Sequence, residues 1–309
     1  MISVQVVTAP DHHPQRELDF LSLGYSQNIG AEGTVASVNA SITSTSPGFE
    51  LSEFDVRGTS RSMSFALTHP FIRSRTENLN MSLRLDINNT ERHDNVSIDA
   101  IEDRLRVIRL GGNYQFADRF VGINVISAEI SRGLDILNAR KRDSANLTRA
   151  RGRPEFTKAT ASIMRIQRLS RNFELFASVS GQKSADILLS GEEFGIGGVA
   201  YGGAYDGSEI IGEEGLAGKL ELRYNSSRAP SSAQGYQLFT YYDVGRVWDW
   251  DNTAVRDRIR SLASIGMGIR VDLNENISGS AEIALPLTRT IDSEGNKDPR
   301  FFFTLSHRL

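Results

Sequence analysis

Residues 190–215 read SGEEFGIGGVAYGGAYDGSEIIGEEG, a stretch too glycine-rich for a helix or a strand and too patterned for a flexible linker. Glycine tolerates positive φ and lets backbones approach closely, so Gly195, Gly197, Gly198, Gly202 and Gly203 predict a long, tightly folded loop. A strand pattern follows it. Leu216, Leu220, Leu222 and Tyr224 alternate with Lys219, Glu221 and Arg223, the period of two expected where a strand divides an apolar medium from a polar one.

Outward from this loop the same alternation recurs along the whole 309-residue chain. It predicts fourteen strands: 2–9, 17–27, 33–45, 60–70, 77–88, 104–116, 120–131, 157–169, 173–183, 216–225, 236–248, 261–273, 277–285 and 300–309. In the fifth, Leu79, Met81, Leu83, Leu85 and Ile87 face one way while Asn78, Asn80, Ser82, Arg84 and Asp86 face the other. In the twelfth, Ala263, Ile265, Met267, Ile269, Val271 and Leu273 oppose Ser264, Gly266, Gly268, Arg270 and Asp272. Many segments reach the roughly 10 residues that a tilted strand needs to cross a bilayer.

The connections alternate as well. NIGAE, FIRSRT, ADR, SRN and NEN are short, whereas GLDILNARKRDSANLTRARGRPEF and WDNTAVRDRIR are long; SSRAPSSAQG is the least tidy member of the short set. Short turns on one side and long loops on the other are the habit of outer-membrane barrels, whose short turns are periplasmic. The fold predicted is all-β, a transmembrane antiparallel β-barrel. On the residues alone a soluble β-sandwich remains open, since it too gives many alternating strands.

Composition narrows the choice of medium and partner. The net charge of −3 carries no basic excess or stripe, which argues against a nucleic-acid partner. With no cysteine the chain has neither a disulfide framework nor a thiolate metal site. No run approaches the apolar length of a membrane-spanning helix. A barrel strand is apolar at only one residue in two, so a mean hydropathy of −0.30 suits one. The opening ISVQVVTA has no charged region ahead of an apolar segment, so no signal peptide is expected in this chain.

At this point the motifs carry a resemblance. SGEEFGIGG, AYGGAYDGSEIIGEEGLAGKLELRYN, FTYYDVGRVWD, SIGMGIRVDL and AEIALPL follow one another in an order that resembles the haemolysin secretion/activation transporters of the ShlB, FhaC and HecB family. These are the TpsB proteins of two-partner secretion, in the BamA superfamily. The resemblance implies that 190–215 is the sixth extracellular loop, reaching into the lumen. Family barrels have 16 strands with this loop after the eleventh, whereas here it follows the ninth. One barrel domain over 1–309 is therefore expected, without the family's first two strands and its periplasmic POTRA domains.

One departure lies inside the loop. The family's loop carries a Val-Arg-Gly-Tyr-like motif whose arginine pairs with an aspartate on the next strand but one. Here Gly202, Gly203, Ala204 and Tyr205 stand at the motif, with Gly203 at the arginine position. The aspartate remains as Asp243 in a strand whose Phe239, Tyr241, Asp243 and Gly245 share the lumen-facing parity. Glu221 and Arg223 point inward from the adjacent strand by the same count, and Arg223 is the nearest cation predicted to pair with Asp243. On that reading Gly203→Arg firms the loop. Val56-Arg57-Gly58 also spells the motif's core, but falls in a predicted loop without the glycine context.

No nucleophile, base and orienting group stand in a recognisable order, so no enzyme is expected, and no cofactor or metal. The resemblance implies an outer-membrane pore that passes a TpsA-like exoprotein, a haemolysin or adhesin, with outer-membrane lipid and the barrel assembly machinery as further partners. The terminal strand keeps Phe301, Phe303, Leu305, His307 and Leu309 on one parity, a degraded form of the assembly signal. The alternatives are a non-translocating remnant or passive porin, and a soluble β-rich binding module.

Overall fold

The computed structural model describes residues 1–9, 17–46, 55–95, 100–226, 235–250 and 257–308. Its strands are β1 (Ile2–Ala9), β2 (Leu18–Ile29), β3 (Thr34–Thr45), β4 (Arg57–Arg73), β5 (Glu77–His93), β6 (Ile101–Ala117), β7 (Gly122–Gly133), β8 (Thr157–Arg168) and β9 (Phe173–Ser184). There follow β10 (Phe194–Ile196), β11 (Ile210–Gly212), β12 (Glu214–Ser226), β13 (Gly235–Trp248), β14 (Ile259–Asp272), β15 (Ile277–Pro286) and β16 (Arg300–His307). Fourteen of them form one sheet in sequence order, β1 to β9 and then β12 to β16, while β10 and β11 make a separate hairpin. All fourteen predicted strands are present.

Three differences from the sequence reading have physical causes. Strands β4, β5 and β6 run to 17 residues each. Their ends, such as Thr90–His93, are polar on both faces and leave no alternation to read. Arg57 and Gly58 open β4 rather than lying in a loop. Residues 190–215 are not strand-free, because β10 and β11 pair within them. Of the SSRAPSSAQG connection, residues 227–234 lie outside the described residues.

The chain divides into two compact units. The first comprises Met1–Asn113, Ala128–Ala159 and Ser184–Glu192. Its register aligns Ile2, Tyr25, Val38, Phe65 and Leu85 in one row across β1 to β5. The adjacent row is Ser3, Gly24, Asn39, Ser64 and Asp86, on the opposite face. One row is thus apolar, with Ile2, Tyr25 and Phe65 exposed, and the other is small and polar. A satellite core of Leu105, Val107, Leu147, Phe156, Leu188 and Leu189 closes over the long connection between β7 and β8.

The second unit comprises Tyr114–Ser127, Thr160–Lys183 and Glu193–Leu309. Leu220, Tyr242, Ile265 and Leu285 align across β12 to β15 and are all exposed. So are Leu222, Met267, Ile283 and Phe301 in the next such row. Exposed apolar rows of this extent would drive association in water, and they suit lipid. The opposite face carries Lys219, Asp243 and Ser264 in one row, and Glu221, Tyr241 and Gly266 in the next. The loop of residues 194–212 packs on this polar face.

Candidate functional site

The glycine-rich loop is folded by its own backbone. Gly197, Gly198 and Gly202 take φ of 134°, 81° and 91°, which a side chain resists. That geometry lets the Gly197 N–H donate to the Tyr201 carbonyl at 2.9 Å and the Tyr205 N–H donate to the Gly202 carbonyl at 2.9 Å. The hairpin of β10 and β11 closes the base of the excursion, with Gly195 opposite Ile211.

Apolar anchors seat the loop on the wall. Ile196, Ala204, Tyr205 and Ile210 are buried with Ala217, Val247, Leu262, Ala284 and Ile291. Each fully buried large side chain contributes roughly 1.5–3 kcal/mol. The Tyr205 hydroxyl donates to the Ala263 carbonyl at 3.2 Å and accepts the Arg289 N–H at 3.3 Å. Gly245 makes room for the loop, since a Cβ there would stand 2.6 Å from Ile196 Cδ1.

At the tip, the carboxylate of Asp243, with no exposed surface, accepts the N–H groups of Gly202 at 3.0 Å and Gly203 at 2.9 Å. Lys219 lies directly across from Asp243 in the β12–β13 register, its ammonium 3.7 Å from Asp243 Oδ1. Ser264, opposite on β14, donates at 3.4 Å. Gly203 sits so close to Tyr241 that a Cβ would meet the phenol oxygen at 2.2 Å. A side chain at that point of the loop would have to displace the buried Tyr241 ring.

The expected pairing of Asp243 with Arg223 is therefore corrected. Register puts Arg223 across from Phe239, and its guanidinium goes to Glu221 at 2.6 Å. Glu221 is almost fully buried and is shared with Arg270 at 2.9 Å. Arg270 in turn stacks 3.8 Å from the Phe239 ring centroid. Phe239 and Tyr241 cover the β14 glycines, for a Cβ on Gly268 or Gly266 would fall within 2.6 Å of their rings. The sequence reading brought Asp243, Tyr241, Glu221 and Arg223 to one face and gave no site role to Lys219, Ser264, Arg270 or Glu282 of β15, which accepts the Tyr241 hydroxyl. Lys219 shares the parity of Glu221 and Arg223, so the signal was present.

A second set of charges holds the root of the loop in the first unit. Glu192 ends a short 3-10 turn and pairs with Arg109 at 2.6 Å and Lys158 at 2.8 Å, all three nearly buried. Arg109 also donates to Asp86 at 2.6 Å and Ser131 at 2.8 Å. Burial alone would raise the Glu192 carboxyl, but the charge and hydrogen bonds of Lys158 and Arg109 leave it below the usual carboxylate range. Among the described residues no cluster of His, Cys, Asp and Glu is arranged to hold a metal ion.

The family model for the haemolysin secretion/activation protein ShlB/FhaC/HecB matches residues 1–271. The chain belongs to this family. Among solved structures, CdiB from Escherichia coli superposes with a TM-score of 0.73 at 14% identity, covering 98% of this chain and 67% of that one. CdiB from Acinetobacter baumannii gives 0.72 at 18% identity, covering 99% of this chain and 53% of that one. BamA from Haemophilus ducreyi, crystallised without its POTRA domains 1–3, gives 0.68 at 12% identity, with 94% and 63% covered. No curated protein sequence matches. The family is one of outer-membrane β-barrel transporters of two-partner secretion and implies a secreted TpsA-like partner protein. That sheet of alternating rows is accordingly an outer-membrane fold, with its apolar face toward lipid.

Proposed function

We propose that residues 1–309 form a single β-barrel translocator domain that passes a haemolysin- or adhesin-like exoprotein, unfolded, through its lumen. Residues 190–215 are its gate. The observation that carries this reading is the docking of a neutral, glycine-built loop tip on the buried Asp243 carboxylate. At residues 202–203 no side chain interlocks with the wall, and two hydrogen bonds to a charged group, of about 1.5–3 kcal/mol each, allow the tip to release ahead of the anchored remainder of the loop. The polar rows supply donors and acceptors for a passing chain, with no nucleotide or chemical step required. The exposed rows meet outer-membrane lipid, and Phe301, Phe303 and Leu305 of β16 present the terminal strand to the barrel assembly machinery.

The test is secretion. Cells producing this protein with its cognate exoprotein should release that exoprotein into the medium, and Asp243→Ala should alter the released amount while the barrel still folds. Exoprotein retained in the periplasm behind a folded, membrane-inserted barrel would favour the passive porin instead.

A further inference from the structure

Three hydrogen bonds tie residues 199–203 to the strands, and each uses the loop's backbone. Two are the N–H groups of Gly202 and Gly203 on Asp243. The third is the Val199 carbonyl, which accepts from Lys219 Nζ at 3.0 Å. The Val199 side chain, 92% exposed, grips nothing. Lys219 is itself only 11% exposed, and its ammonium lies 4.3 Å from the Tyr241 ring centroid, so its position is fixed on three sides.

We propose that Lys219 is a positioning residue of the gate: it holds the loop tip by the Val199 carbonyl while Asp243 holds the two following N–H groups. A cation and an anion directly across from each other on neighbouring strands thus grip the two ends of one short backbone segment. The inference rests on the gate reading of residues 190–215. Both gripping charges belong to the wall, so the tip at residues 199–203 leaves as neutral backbone. Asp243 Oδ1 takes no hydrogen bond in the docked state. When Val199 departs, the Lys219 ammonium, 3.7 Å from that oxygen, turns to it. Lys219 then exchanges one hydrogen bond for another, and Asp243, which gives up the two glycine N–H groups, keeps a cation beside it rather than being left unpaired, which would be strongly unfavourable.

The experiment is hydrogen–deuterium exchange, read by mass spectrometry on the full chain in detergent, for wild type, Lys219→Met and Lys219→Arg. Peptides covering 194–212 report the tip, and peptides covering 79–90 serve as reference. A hydrogen bond to a charged group is worth enough that Lys219→Met should exchange about tenfold faster at the tip, with the reference unmoved. Lys219→Arg, which keeps the charge, should stay near wild type. Unchanged tip exchange in Lys219→Met, equal acceleration in the reference peptides, or equal loss in Lys219→Arg overturns the proposal. Single-channel conductance separates the two layers: a tip loosened in Lys219→Met with unaltered openings would remove the gate and leave the positioning role standing.

Discussion

Gly203 is the residue at which the geometry reverses an expectation. An arginine there was to firm the loop, but any Cβ meets the Tyr241 phenol oxygen at 2.2 Å. Gly203→Ala alone should therefore weaken loop docking by about 1–3 kcal/mol, the usual cost of overpacking. Tyr241→Phe removes the nearest atom and should recover part of that loss, so the double-mutant cycle should show coupling of about 0.5–3 kcal/mol by urea unfolding in lipid vesicles. Strict additivity would mean that the two residues do not touch. At the root of the loop, Glu192→Gln deprives nearly buried Lys158 of its only ion pair among the described residues, whereas Arg109 keeps Asp86, and should cost up to about 3–5 kcal/mol in the same assay. Glu129→Gln, at 3.5 Å from Arg109 and more exposed, should cost far less.

At the scale of elements, the loop is tied not only to strands but to the connection after β15. Arg300 pairs with Asp206 at 2.9 Å and with Glu294 at 3.2 Å, and Glu209 accepts the Asp292 N–H at 2.6 Å. The hydrogen bond from the Ser293 hydroxyl, joined by Arg300, holds the Asp206 carboxyl below its ordinary value. A group depressed on folding stabilises above its unfolded pKa of about 4, and that contribution is lost as pH falls through the folded value. The strap should hold across pH 5–8 and loosen in acid, so the protection of the loop amides against hydrogen exchange should fall below about pH 4. Asp206→Asn should flatten the part of that profile owed to this carboxyl; an unchanged profile in the variant would assign the acid response elsewhere. How much of this was legible follows from what parity can carry. Alternation puts Lys219, Glu221 and Arg223 on one face, which is correct, but it says nothing of register. Register alone sets Lys219 rather than Arg223 across from Asp243. Nor could the three-residue strands inside the loop be read, because Phe194–Ile196 and Ile210–Gly212 are too short to show a period.

For the molecule as a whole, the deciding property is that its two sheet faces face different media, and substitution on each face tests it. Leu220 sits mid-strand in an exposed apolar row with Tyr242, Ile265 and Leu285. Ser64 sits in a polar row between Asn39 and Asp86. If the apolar rows meet lipid, Leu220→Arg places a guanidinium in hydrocarbon and should cost about 2–4 kcal/mol near the bilayer midplane. Ser64→Arg places the same group among polar neighbours beside a carboxylate and should be close to neutral. Urea unfolding in vesicles, followed by the loss of heat-modifiable migration on gels, measures both. In a soluble sandwich the apolar rows pack face to face as the core, so Leu220→Arg is costly and Ser64→Arg harmless there as well. The pair of substitutions therefore tests which face leaves water, and the medium itself is read by solubility: a lipid-facing apolar surface requires detergent or vesicles to stay dispersed, whereas a sandwich core does not.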